Sequence, residues 1–122
     1  MEILHKELSY KIVGLAMQVH RELGYGFLEK VYENSLMILL RENGINAEQQ
    51  VPIKVHFHGQ IVGDYIADIL VEDSIILELK VIEKITKFQI AQTINYLKAT
   101  NLKLALLINF DKTSLEHERI VL

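Results

Sequence analysis

The chain has 122 residues, 50% of them apolar, enough for one compact domain with a real core over residues 1–122. It has no cysteine, which excludes a disulfide framework and a thiolate zinc site, and its formal net charge of −3 argues against a broadly basic nucleic-acid coat. No apolar run reaches the ~18 residues of a membrane helix, and the opening Met1–Glu7 carries acids and no signal-peptide core, so a cytoplasmic protein without membrane attachment is expected.

Leu8, Ile12, Leu15, Ala16, Val19 and Leu23 follow helical spacing and predict a first helix over 8–23, closed by Gly24. His20 on this helix reads as a satisfied structural histidine. Gly24-Tyr25-Gly26 makes a tight joint into a second helix over 27–43, with Leu28, Val31, Leu36, Leu39 and Leu40 inward and Gly44 as its stop. Glu29 and Tyr32 share a face of that helix, and Glu33, beside it, is expected to be more exposed.

Beyond Gly44 the period changes. Val51, Ile53, Val55 and Phe57 alternate with polar residues as a half-buried strand, and Pro52 assigns it to a sheet edge. His58-Gly59-Gln60 turns the chain, which leaves His56 and His58 exposed rather than paired on zinc. From Asp64 to Lys80, two apolar runs flank Glu72-Asp73-Ser74, a hairpin signal. That loop opposes Val71 to Ile75 and, counting outwards, Asp68 to Glu78. Alternation then projects Asp68, Glu78 and Lys80 from one face. Opposed Cβ atoms lie about 5 Å apart, a separation at which two carboxylates repel unless a proton or a cation sits between them. The neighbours are apolar on both faces, as in central strands covered on both sides. A divalent metal held by Asp68 and Glu78, with Lys80 beside it, is the simplest explanation; an ion pair with Lys80 is the structural alternative.

Ile85, Phe88, Ile90, Ala91, Ile94 and Leu97 predict a third helix over 84–100, with Gln92 and Tyr96 on one face at i,i+4 spacing. Leu104–Phe110 reads as a buried strand and Arg119–Leu122 as a short final one. Lysines 80, 84, 87, 98 and 103 face the single acid Glu83 within residues 80–103, a local positive rim next to the carboxylates.

Gly26-Phe27-Leu28-Glu29-Lys30-Val31-Tyr32 resembles the pattern of the GxxExxY protein family, and Asp68, Glu78-Leu79-Lys80 and Gln92 resemble the PD-(D/E)XK nuclease superfamily to which that family is assigned. The resemblance covers essentially the whole chain, including Val19–Gly24 and Leu106–Phe110. It implies an α/β fold with a restriction-endonuclease-like core, a mixed central sheet flanked by helices. It also implies hydrolysis of nucleic-acid phosphodiesters, DNA in preference to RNA, with Mg²⁺ or Mn²⁺. Asp68 and Glu78 would then hold the metal, Lys80 would position water or neutralise the phosphate, and Glu29 and Gln92 would complete the catalytic shell. Tyr32 and Tyr96 read as packing residues with hydroxyl partners. Two positions depart from the family: Ile66 stands where an Arg is frequent, and Tyr25 where a Pro is. Ile66 and the acidic balance favour the alternative, a catalytically silent nuclease-fold binding or accessory module, and the small size admits a homodimer.

Overall fold

Ile12, Leu15, Ala16 and Val19 form one apolar helical stripe and Tyr32, Leu36, Met37 and Leu40 another, so both helices bury against the same sheet face. The computed structural model describes residues 5–122; residues 1–4, which carry part of the expectation about the N-terminus, lie outside the described residues. The elements are α1 (Lys6–Leu23), α2 (Glu29–Glu42), β1 (Ala47–Phe57), β2 (Gln60–Val71), β3 (Ile75–Lys80), α3 (Lys87–Thr100), β4 (Leu104–Asn109) and β5 (Glu116–Val121). No helix among the described residues is long and apolar enough to cross a membrane.

The strands form a five-stranded sheet in the order β1-β2-β3-β4-β5. All neighbours are antiparallel except β3 and β4, which are parallel and joined through α3. This is the mixed, helix-flanked α/β sheet that the sequence led us to expect. Along β3 the pleat divides the core: Ile75, Leu77 and Leu79 point to α1 and α2, while Ile76 packs with Leu97, Ala105 and Leu107 beneath α3. Pro52 lies on edge strand β1, as its missing N–H requires. Thr86 caps α3 by accepting from the Phe88 N–H while Gln89 reaches back to the Thr86 N–H, a capping box.

The hairpin register is the one read from the sequence, with Val71 opposite Ile75, Leu70 opposite Ile76 and Ile69 opposite Leu77. Coverage of the strands is not as expected. β2 has 12 residues against 6 in β3, so its first half outruns the sheet. Ile61, Val62, Tyr65 and Ile66 are therefore exposed, on an arm formed with β1. Leu28 and Val31, placed inward by periodicity, are exposed as well, because Leu28 is the extended residue preceding α2 and Val31 lies at the margin of its buried stripe. Glu33 departs the other way and is buried.

Tyr32 fixes the joint between the first two helices. Its ring stacks on Phe110 with centroids 4.4 Å apart. Its hydroxyl donates to the Gly24 carbonyl at 2.7 Å and accepts from the Phe27 N–H at 3.2 Å. Gly24 and Gly26 have φ of 79° and 106°, which L side chains rarely adopt. His20 is buried beside Phe110 and its Nε2 donates to the Lys112 carbonyl, a structural role. Removing only the hydroxyl, in Tyr32→Phe, should cost about 1 kcal/mol in urea unfolding, and Tyr32→Ala about 3–5 kcal/mol. A Tyr32→Phe protein as stable as wild type would mean that the hydroxyl does not hold the joint.

Candidate metal and catalytic centre

The centre forms where β2 leaves its neighbours. Pairing with β3 ends at Ile69 opposite Leu77, and on the other side Gln50 and Asp68, which the register would oppose, do not pair. Gln50 instead has φ of 56°, uncommon for a non-glycine residue. Released from both ladders, Asp68 accepts a hydrogen bond from the Leu79 N–H through Oδ2 at 2.7 Å. A side chain thus replaces the backbone carbonyl that a continued ladder would supply. β3 runs on beside β4 as far as Lys80 opposite Asn109.

This fork brings Asp68 and Glu78 close enough for the charge of Asp68 to act on the Glu78 carboxyl. Glu78 is 4% exposed. Burial first, and then the charge of Asp68, push its carboxyl up to about 9, with Lys80 opposing. Burial also raises Asp68, partly offset by the Leu79 N–H bond. Glu78 Oε1 is buried without a hydrogen-bond partner.

Lys80 does not bridge the two acids. The ion pairs among the described residues are Lys30–Glu33 and Lys54–Asp64, while the Lys80 charge acts on Glu29, Asp68 and Glu78 without direct pairing. The structural ion pair weighed as an alternative is therefore not what the fold contains. The segment after Lys80 is tied to the end of β4, which anchors the lysine's backbone. Asn109, fully buried, accepts from the Ile82 N–H at 3.0 Å and donates to the Ile82 carbonyl at 2.8 Å and to Glu116 at 2.9 Å. Glu116 in turn accepts from the Ile85 N–H at 3.2 Å.

Glu29 opens α2 and lines a cleft of about 620 Å³ together with Asp68, Glu33, Gln50 and Val81. Its residue is exposed, yet its carboxyl is raised, first by burial, with Lys80 opposing. Glu33 is a residue that the sequence reading missed. Its carboxylate accepts from Gln49 Nε2 at 2.6 Å, Gln50 Nε2 at 3.0 Å and Lys30 Nζ at 3.0 Å, and so holds the irregular stretch of β1 that frees Asp68. The signal was its i,i+4 spacing from Glu29. Gln92 is not brought to this cleft. It lines a neighbouring groove with Tyr96, whose phenol is raised by burial and then by the charge of Glu78.

The all-oxygen donor set suits Mg²⁺ or Mn²⁺, and the unpartnered Glu78 Oε1 is a donor already desolvated. Among the described residues no group of three or more His, Asp or Glu side chains is close-set enough to hold an ion. Asp68 and Glu78 would therefore leave positions for water or substrate, as Mg²⁺ sites commonly do. The residues fit such an ion.

A family model described as PD-(D/E)XK nuclease superfamily matches residues 6–120. No curated protein matches significantly. Among solved structures, that of SSO0001 aligns with a TM-score of 0.61 at 19% identity, over 75% of this chain and 48% of that one. The chain thus spans about half the length of that protein. An alkaline exonuclease from Laribacter hongkongensis aligns with a TM-score of 0.46 at 15% identity, over 99% of this chain and 72% of that one.

Because folded Glu78 and Asp68 keep protons that the unfolded chain sheds, the metal-free protein should lose stability as pH rises from about 5 to about 9. Urea midpoints measured in chelator across that range should fall, and Glu78→Gln, which cannot ionise, should flatten the fall. A wild-type midpoint that rises over the same range would contradict the raised carboxyls of Asp68 and Glu78.

Proposed function

Since the chain belongs to the PD-(D/E)XK nuclease superfamily, we propose that it hydrolyses nucleic-acid phosphodiester bonds, of DNA in preference to RNA, with Mg²⁺ or Mn²⁺ held by Asp68 and Glu78. The observation that carries this reading is the pairing of half-buried Asp68 with buried Glu78, whose Oε1 is unpartnered, beside a lysine committed to neither acid. A fold that needed these acids only for structure would neutralise them with Lys80. Within the superfamily, the Gly26–Tyr32 motif favours the GxxExxY group, with Tyr32 serving the joint that carries Glu29.

Each residue then has a task. Asp68 and Glu78 release their proton as the ion binds, so affinity should rise with pH. The ion supplies Lewis acidity toward the phosphate and a more acidic water. Lys80, with no direct ion pair, donates to that water or to a phosphoryl oxygen as charge develops there. Glu29 accepts a hydrogen bond from water at the cleft wall. Gln92, one groove away, serves the substrate strand in place of the catalytic shell. A homodimer would lengthen the surface that so small a domain offers to its substrate.

The second reading, a binding or accessory module, is favoured by Ile66, an exposed apolar residue two positions before Asp68 where the family often carries a cation. Metal linkage and cleavage separate the two. At a hundredfold excess over Kd, Mn²⁺ should stabilise the wild type by about 2.7 kcal/mol, read as a rise in Tm. Lys80→Ala should keep that rise and Asp68→Asn should lose it, and only the wild type should cut mixed DNA and RNA substrates. A Tm rise without any cleavage selects the binding module. No response to Mn²⁺ would make Asp68, Glu78 and Lys80 a structural charge cluster.

A further inference from the structure

A second concavity, of about 650 Å³, lies between α3 and the arm formed by β1 and β2. Its walls combine aromatic, amide and basic side chains. The Tyr65 and Tyr96 rings meet with centroids 5.6 Å apart at 44°, so they are splayed and not stacked shut. Tyr65 remains 45% exposed. Gly63 makes room for that ring, since a Cβ there would come within 3.0 Å of it. Gln92 and Asn95 add amides along the same helix, and Lys98 adds an exposed ammonium without an ion pair among the described residues. Lys54, on the arm, is held by Asp64 at 3.0 Å and contributes less. Tyr65 lies three residues before Asp68 on the same strand, so the arm that walls the groove leads toward the carboxylate pair.

We propose that this groove seats an unpaired nucleic-acid strand on its way to the carboxylate pair, with a base against Tyr65 and Tyr96 and a phosphate at Lys98. The inference rests on the nucleic-acid reading above and adds the substrate class. Base faces stack on aromatic rings whatever the sequence, and a cation beside the rings follows the backbone. A volume of this order holds a small ligand, and so a nucleotide or two. A duplex, whose major groove alone is ~12 Å wide, does not enter it, and its paired bases offer no free face to the tyrosines.

Fluorescence anisotropy with labelled oligothymidylate, oligouridylate and a blunt DNA duplex, divalent cations chelated, reads binding without cutting. At least one single strand should bind more tightly than the duplex, the two arms reporting whether DNA or RNA is preferred. Tyr65→Ala should weaken that binding roughly tenfold, while Tyr65→Phe, which keeps the ring, should match wild type. Lys98→Ala should lower the slope of log affinity against log salt by about 0.7. Duplex binding as tight as single-strand binding, no single-strand binding at all, or a folded Tyr65→Ala protein that binds like wild type would overturn the proposal. Strand binding in the groove with no cleavage in Mn²⁺ would instead sink the nuclease reading and leave the groove standing. Cleavage by wild type with Tyr65→Ala unaffected in binding would do the reverse.

Discussion

Asp68 accepting the Leu79 N–H is the contact on which the centre depends. A sheet interior normally satisfies every backbone donor with a carbonyl. Here the ladder stops, and a carboxylate fills the place. That substitution satisfies the orphaned N–H and draws the acid inward against Glu78. It also leaves one oxygen of the pair buried and unpartnered. Burial raises both carboxyls by disfavouring their charged forms, which limits that cost in the absence of a cation. The fork, the paired acids and the raised carboxyls are thus one event in the chain, set by where β2 departs from β3.

Most of the frame was legible because it rests on periodicity. The helices, the edge strand with Pro52 and the hairpin around Glu72-Asp73-Ser74 each follow from a local pattern. The hairpin loop length set the register of Val71, Leu70 and Ile69, though the ladder stops before the expected pairing of Asp68 with Glu78. Less legible were features that depend on one segment ending before another. Strand lengths decide that Ile61 to Ile66 outrun the sheet, and no local pattern in β2 reports the shortness of β3. Glu33 was misjudged for a related reason. Its burial is created by Gln49 and Gln50, far along the chain and unremarkable as a sequence. Gln92 sits on the helix face expected of it, beside Tyr96, but facing the groove and not the carboxylates.

The two concavities differ in what lines them. The first is walled by α2 and gathers acids; the second is walled by α3 and gathers amides, rings and two lysines, Lys54 and Lys98. Asp68 lines the first, while Glu78 has the parity of Ile76 on β3 and so projects from the face covered by α3. The net acidity of the chain therefore says little about the surface a polyanion would meet. Lysines 80, 84, 87, 98 and 103 stand against the single acid Glu83 within residues 80–103, whereas Glu29, Glu33 and Asp68 line the cleft beside α2.

Asn109 contacts both the N–H and the carbonyl of Ile82, which is what a residue of an adjoining antiparallel strand would do. One side chain thereby impersonates a peptide unit and gives the sheet a further rung where no strand exists. Few replacements could sustain the imitation. Aspartate would turn a donor into an acceptor facing the Ile82 carbonyl and Glu116, and glutamine is longer by a methylene in a site with no exposed surface. Along Val81 to Ile85 the path is thus written in the backbone contacts of a residue elsewhere, which leaves the exposed Glu83 and Lys84 free to vary while Val81, Ile82 and Ile85 answer to the core.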